Sequence, residues 1–167
     1  MTLDGPVPDE PLPAGDAEQL AAARLALLCG ARRQVDIRLP RLDGSHYAGL
    51  GEIEHLRRLA TSGRGAQIRV LLNDPASALR DGHRLILLMQ RLPSAIQVRV
   101  PVEETDLGNP SACLLTDAGG YLFQPDAERP QGRAALADRP GWTPLRQQFD
   151  EMWERAERAR MLQPLDL

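Results

Sequence analysis

Three short apolar runs, each closed by a proline or a proline-containing turn and each preceded by a helical pattern, constrain this chain most. Val35, Ile37 and Leu39 alternate with Asp36 and Arg38 and stop at Pro40. Ile68 to Leu72 stops at Asn73-Asp74-Pro75, and Ile96, Val98 and Val100 stop at Pro101. Period-two alternation is the signature of a strand, and proline removes the donor needed to extend it. Helical periodicity fills the intervals. Asp16 with Gln19 resembles a capping box and opens an alanine-rich helix to about Cys29, with Leu20, Ala23, Leu27 and Ala31 on one face. Leu50, Ile53, Leu56 and Ala60 mark a second helix that begins after Ser45 and stops at Gly63, its first turn weakened by Gly49 and Gly51. Leu85, Leu88, Met89 and Leu92 on one side, with Leu79, Ile86 and Leu87 on another, predict a third, well-buried helix over roughly residues 76–92. Strands alternating with helices predict a parallel sheet at the core.

The second half reads differently. Ala112 to Asp117 and Tyr121 to Gln124 flank Ala118-Gly119-Gly120, a hairpin signal that adds antiparallel strands at one side of the sheet. Residues 125–142 carry three prolines and two glycines and read as an irregular connection. Thr143-Pro144 places a cap and a first-turn proline before a last helix whose face is Leu145, Phe149, Met152, Trp153 and Ala156. Residues 1–13 hold four prolines and three acids and read as a disordered tail, followed by one α/β domain over 14–160 and a short tail over 161–167.

All 20 basic residues are arginine, so chemistry that depends on a lysine (a Schiff base or a phosphate-loop ammonium) is excluded. The net charge of −3 supplies no global attraction to nucleic acid or to an anionic membrane, so nucleic acid is not the expected partner. No apolar run reaches the ~18 residues of a membrane span, and Cys29 and Cys113 form no paired motif. A cytoplasmic protein with reduced thiols and no cofactor is the expectation.

The element order, with its strand-hairpin-helix ending, resembles one half of a phospholipase D superfamily module. Leu71-Leu72-Asn73-Asp74, Gly82-His83-Arg84-Leu85 and Arg91-Leu92-Pro93-Ser94 resemble a bacterial family of uncharacterised phospholipase D-like domains, sometimes loosely named as acetyltransferase-related. The likeness covers about residues 17–157. It implies a mixed, mostly parallel sheet with flanking helices. Active members carry H-x-K-x4-D ahead of the hairpin, the histidine attacking phosphorus and the lysine steadying the phosphate oxygens. Laid on this sequence, the aspartate position is Asp117, but the histidine position falls on Pro110 and the lysine position on Ala112. Proline offers no nucleophile and alanine no charge. The resemblance therefore implies a module without phosphodiesterase activity, acting as a binding or interaction domain, with a homodimer expected by analogy.

An alternative reading builds a site from His83, Arg84 and Asp74, with Arg80 and Arg91 on the same helical arc gripping a phosphorylated or carboxylated small molecule. The plainer account of His83 is a structural histidine bonded to a neighbouring loop, and of the arginines a solvated or ion-paired face. Glu52-x-x-His55 has the spacing of a di-iron carboxylate motif, but one copy does not make such a site, and no zinc-ligand spacing appears. Gly63-Arg64-Gly65-Ala66 resembles an acyl-CoA pyrophosphate loop in composition, the basis of a third, acetyltransferase-related reading. It follows a helix and precedes a strand, the reverse of what phosphate-binding amides require. Cys113 lies in an apolar strand and reads as an inert thiol, while Phe149 and Trp153, one helical turn apart, read as core.

Overall fold

The computed structural model describes residues 11–162. Residues 1–10 and 163–167 of the expected tails lie outside that range. Within the N-terminal stretch, Pro11–Leu12 form β1, which pairs antiparallel with Ala134 and Ala135. Helix α1 (Ala17–Gly30) starts as its cap predicts, with the Gln19 amide donating to Asp16 Oδ1 at 2.8 Å. The return bond is shifted by one residue, because Gln19 Oε1 accepts from the Gly15 amide and not from that of Asp16.

The three expected strands are β2 (Gln34–Leu39), β3 (Gln67–Leu72) and β4 (Ile96–Val100). They pair in parallel, with α2 (Leu50–Ala60) linking the first two. The expected helix over 76–92 is instead two helices, α3 (Pro75–Arg80) and α4 (Arg84–Arg91). Gly82 takes a left-handed φ of 64°, and His83 then caps α4 by accepting the Leu85 amide at Nδ1. A left-handed residue ends a helix, so the apolar periodicity runs on while the backbone does not.

A one-turn helix α5 (Glu104–Leu107) leads into β5 (Ala112–Thr116), β6 (Tyr121–Gln124) and β7 (Arg133–Ala135), an antiparallel meander. The tight turn between β5 and β6 depends on its glycines: Gly119 has φ 81°, and a Cβ on Gly120 would stand 2.5 Å from the Leu136 carbonyl. The short β7 falls within the stretch read as irregular; its three residues are too few to show a period. Helix α6 (Arg139–Arg155) begins before Thr143, capped by Asp138, and Thr143 is already an interior position whose hydroxyl donates to the Arg139 carbonyl. Glu157–Arg158 form β8, followed by a 3-10 turn over Arg160–Leu162.

The eight strands run in the order β1-β7-β6-β5-β2-β3-β4-β8. The sheet is mixed: parallel at its centre, antiparallel from β5 outward on one side and at β8 on the other. Val35, Ile37, Leu39, Ile68, Val70 and Leu72 are buried in the core with residues of α1, α2 and α4. The opposite face is covered by α6, through Leu145, Phe149, Met152 and Trp153 against Leu71 and Leu115. Asp36 and Arg38, the polar partners of the alternation, therefore face a helix and not water, at 1% and 2% exposure. Among the described residues no helix is long and apolar enough to cross a membrane.

Candidate functional site

Parallel strands deliver their carboxyl ends to one side of a sheet, and the loops that leave them form a crevice there. In this chain the crevice is a cleft of about 680 Å³. Its walls are the loop after β2 (Pro40, Arg41, Asp43, Ser45, His46), the approach to β5 (Leu107 to Pro110) and the segment after β6 (Asp126 to Glu128).

The loop after β2 is held from behind by three long side chains. His83 Nε2 lies 3.0 Å from the Asp43 carbonyl and 2.9 Å from that of His46. Because its Nδ1 accepts the Leu85 amide, the proton sits on Nε2 and the ring is neutral. Arg84 donates to the Ala48 carbonyl at 2.9 Å, and the buried Arg24 donates to that of Ser45 at 3.3 Å. Tyr47, buried within the loop, adopts φ 55°, a conformation that costs a non-glycine residue free energy and persists only where its surroundings enforce it.

That loop presents three interacting side chains to the cleft. Asp43 Oδ1 accepts from the Ser45 amide (2.9 Å) and hydroxyl (2.5 Å), and faces His46 Nδ1 at 3.1 Å. Partial burial would push the Asp43 carboxyl up, but the Ser45 donors and His46 outweigh it and hold it at about 2. The sequence reading passed over this trio. Its visible signal was the stretch Leu42-Asp43-Gly44-Ser45-His46, where a turn-forming Asp-Gly pair follows directly on a strand.

The five residues predicted as a ligand site do not converge. The break at Gly82 leaves Arg80 exposed on α3, while Arg84 and Arg91 belong to α4. Asp74 caps α3 by accepting the Ser77 amide at 3.1 Å. His83 and Arg84 act on the cleft indirectly, by gripping the backbone that carries His46. Glu52 of the lone Glu-x-x-His pair engages Arg24 at 3.4 Å. Phe149 and Trp153 stack with centroids 6.0 Å apart, and the Arg69 guanidinium lies over both rings.

Pro110 lines the cleft. Ala112 is buried on the first residue of β5, opposite Gln124. Asp117 stands at the far end of that strand, where its two oxygens accept the amides of Arg32 and Arg33 at 3.0 Å each and tie the α1–β2 junction to the hairpin.

Comparison with protein families finds that residues 16–165 match the domain of unknown function DUF7931. The chain belongs to the DUF7931 family. No curated protein matches it in sequence. This DUF7931 chain is similar in structure to the Salmonella typhimurium phospholipase D family member Nuc, with TM-score 0.56 and 9% identity over 83% of this chain and 89% of that one. It is similar as well to NucT from Helicobacter pylori (TM-score 0.57, 12% identity, 85% and 92% covered). TrmBL2, an archaeal chromatin protein with a novel mode of DNA binding, matches with TM-score 0.62 and 15% identity over 94% of this chain. The DUF7931 chain spans 57% of that archaeal protein's length. At such identities the likeness concerns the fold, which is phospholipase D-like.

Proposed function

We propose that this DUF7931 chain is a phospholipase D-like binding module without phosphodiesterase chemistry, and that its ligand enters the cleft at the carboxyl ends of β2–β4. One observation carries the reading: the positions that resemble the motif's histidine and lysine are Pro110 and Ala112, in a chain with no lysine to take over. Nor does a neighbour on the sheet restore the charge beside Ala112. Arg38 pairs in register with Cys113 and so projects from the opposite face, under α6. Asp117 retains a use that needs no catalysis, since its carboxylate holds two amides.

The cleft lining sets Asp43, Asp126 and Glu128 against Arg41. An uncharged or cationic ligand suits that balance better than the anionic small molecule of the alternative reading, because like charges repel in a partly desolvated crevice. The DNA binding described for the archaeal neighbour gains no support from this lining. The decisive experiment incubates purified protein with bis-p-nitrophenyl phosphate and with a labelled single-stranded oligonucleotide. No turnover above buffer is expected for either. Turnover that copurifies with the protein and disappears in His46→Ala, which removes the imidazole of the cleft wall, overturns the proposal. Sedimentation of the same sample tests the homodimer.

A further inference from the structure

Charge in this chain is sorted by the two ends of its sheet. Residues 19–35, 55–73 and 82–102, which run through α1, α2 and α4 into β2, β3 and β4, contain arginines but no aspartate or glutamate. Acids collect beyond the carboxyl ends of the parallel strands: Asp43 after β2, Asp74 after β3, Glu104 and Asp106 in α5. The net charge of −3 sums two opposed ends and describes neither. Association follows the local potential.

At the amino end the arginines stand side by side. Strands β5, β2 and β3 are neighbours, spaced about 4.8 Å apart. Exposed arginines flank each of them there: Arg139 beside the β5–β6 turn, Arg32 and Arg33 ahead of β2, and Arg64 ahead of β3. Backbone contacts lock these segments together. Arg139 donates to the Asp117 carbonyl at 3.2 Å, and the Asp117 carboxylate holds the amides of Arg32 and Arg33. The Arg33 carbonyl accepts the Gln67 amide at 2.8 Å, and a Cβ on Gly65 would stand 3.6 Å from Arg33 Nη1. Arg58, exposed near the end of α2, donates to the Leu28 and Ala31 carbonyls at 3.1 and 3.3 Å. Among the described residues no carboxylate lies within ion-pair distance of any of these five guanidinium groups. Asp117 and Asp138 lie among them, turned to backbone amides and to the Tyr121 hydroxyl.

The surface selects its partner by what it has and lacks. Guanidinium forks match phosphate oxygens, two at a time. A stable protein interface has an apolar centre, and among the described residues the large exposed apolar side chains place only Leu136 in a segment at this end. An unpaired nucleic-acid strand needs a free ring on which to stack its bases. Trp142, half-buried here, already lies under the guanidinium groups of Arg139 and Arg146 at 4.8 and 5.4 Å. A duplex asks for neither feature, because its backbone offers phosphates alone.

We propose that the amino end of this sheet is a sequence-independent binding surface for the phosphate backbone of double-stranded nucleic acid. The surface lies at the opposite end of the strands from the cleft and stands whether or not the cleft takes a ligand.

Fluorescence anisotropy of a labelled DNA duplex, titrated with the full chain, tests the proposal. With about four phosphate contacts, affinity falls about a hundredfold from about 50 to 200 mM salt, and two duplexes of unrelated sequence bind equally. Arg64→Ala lowers the slope of log affinity against log salt by about one, and the triple variant Arg32→Ala, Arg33→Ala, Arg64→Ala by about three. Alanine keeps the backbone bonds of residues 32 and 33, so the melting midpoint of the triple variant is unchanged. Arg80→Ala, the same loss of charge on α3 at the other end, leaves the slope as it was. Absence of duplex binding at low salt overturns the proposal, and so does equal weakening by Arg64→Ala and Arg80→Ala. Cosedimentation with phosphatidylserine-containing vesicles in place of duplex binding reassigns the surface to a membrane and overturns it as well.

Discussion

An imidazole that accepts at one nitrogen and donates at the other has no free valence for catalysis, and His83 is in that position. Replacing it with alanine removes the cap of α4 and the donor to the Asp43 and His46 carbonyls. A loss of about 1–3 kcal/mol is expected from the unsatisfied buried groups, read from urea midpoints. His83→Asn restores the cap acceptor but is too short for the loop carbonyls, so it recovers part of that loss. Asp43 supplies a test against pH. Its carboxyl is held at about 2, below the ~3.9 of an unfolded aspartate, so its contribution is complete above the unfolded value and is lost as pH falls toward the folded one. Asp43→Asn should flatten the stability profile between those limits. The side chain is 58% exposed, so the difference is small and needs paired titrations to resolve.

The elements divide by how local their causes are. Helix α1, the central strands and the β5–β6 hairpin were legible because a cap, an alternation or a glycine turn announces each within a few residues. The split of α3 from α4 was half visible: Gly82 stands in the sequence, but the partners that reward a break there lie about forty positions upstream, at Asp43 and His46. For the same reason the sequence left His83 between a ligand site and a structural histidine bonded to a neighbouring loop, and the structure has the second. His83 and Arg84 were recognised as special, yet a list of residues does not say that they face backbone carbonyls. Alanine at Gly82 keeps the space but not the left-handed φ, and should cost about 1–2 kcal/mol. Helix α6 depends on long-range contacts more than on its own caps. Phe149, 2% exposed, separates the Arg69 guanidinium from solvent. Phe149→Ala is expected to cost about 3–5 kcal/mol in chemical denaturation. Asp36→Ala should cost less, at roughly 1–3 kcal/mol, because Arg69 loses its buried partner but keeps Asp150 at 2.8 Å. The alternating charges of β2 concealed this network, since alternation usually marks a face turned to water.

At the scale of the molecule, what this chain shares with known structures is its fold. The chain is similar in fold to phospholipase D family structures at TM-scores of 0.56 and 0.57, with only 9% and 12% identity. A fold can be shared at such identity because backbone pairing and core volume tolerate substitutions that a binding or catalytic site does not. The sheet also ends in an unusual way. Among the described residues both outermost strands are two residues long, β1 contains Pro11, and β8 pairs only with Arg99 and Val100. Such stubs offer an approaching strand almost no run of free amides and carbonyls, which is how β-rich proteins avoid accreting on one another. Clipped margins of this kind guard a wide sheet against edge-to-edge stacking, so a chain cut back to remove residues 157–162 should turn turbid at concentrations where the intact protein remains clear.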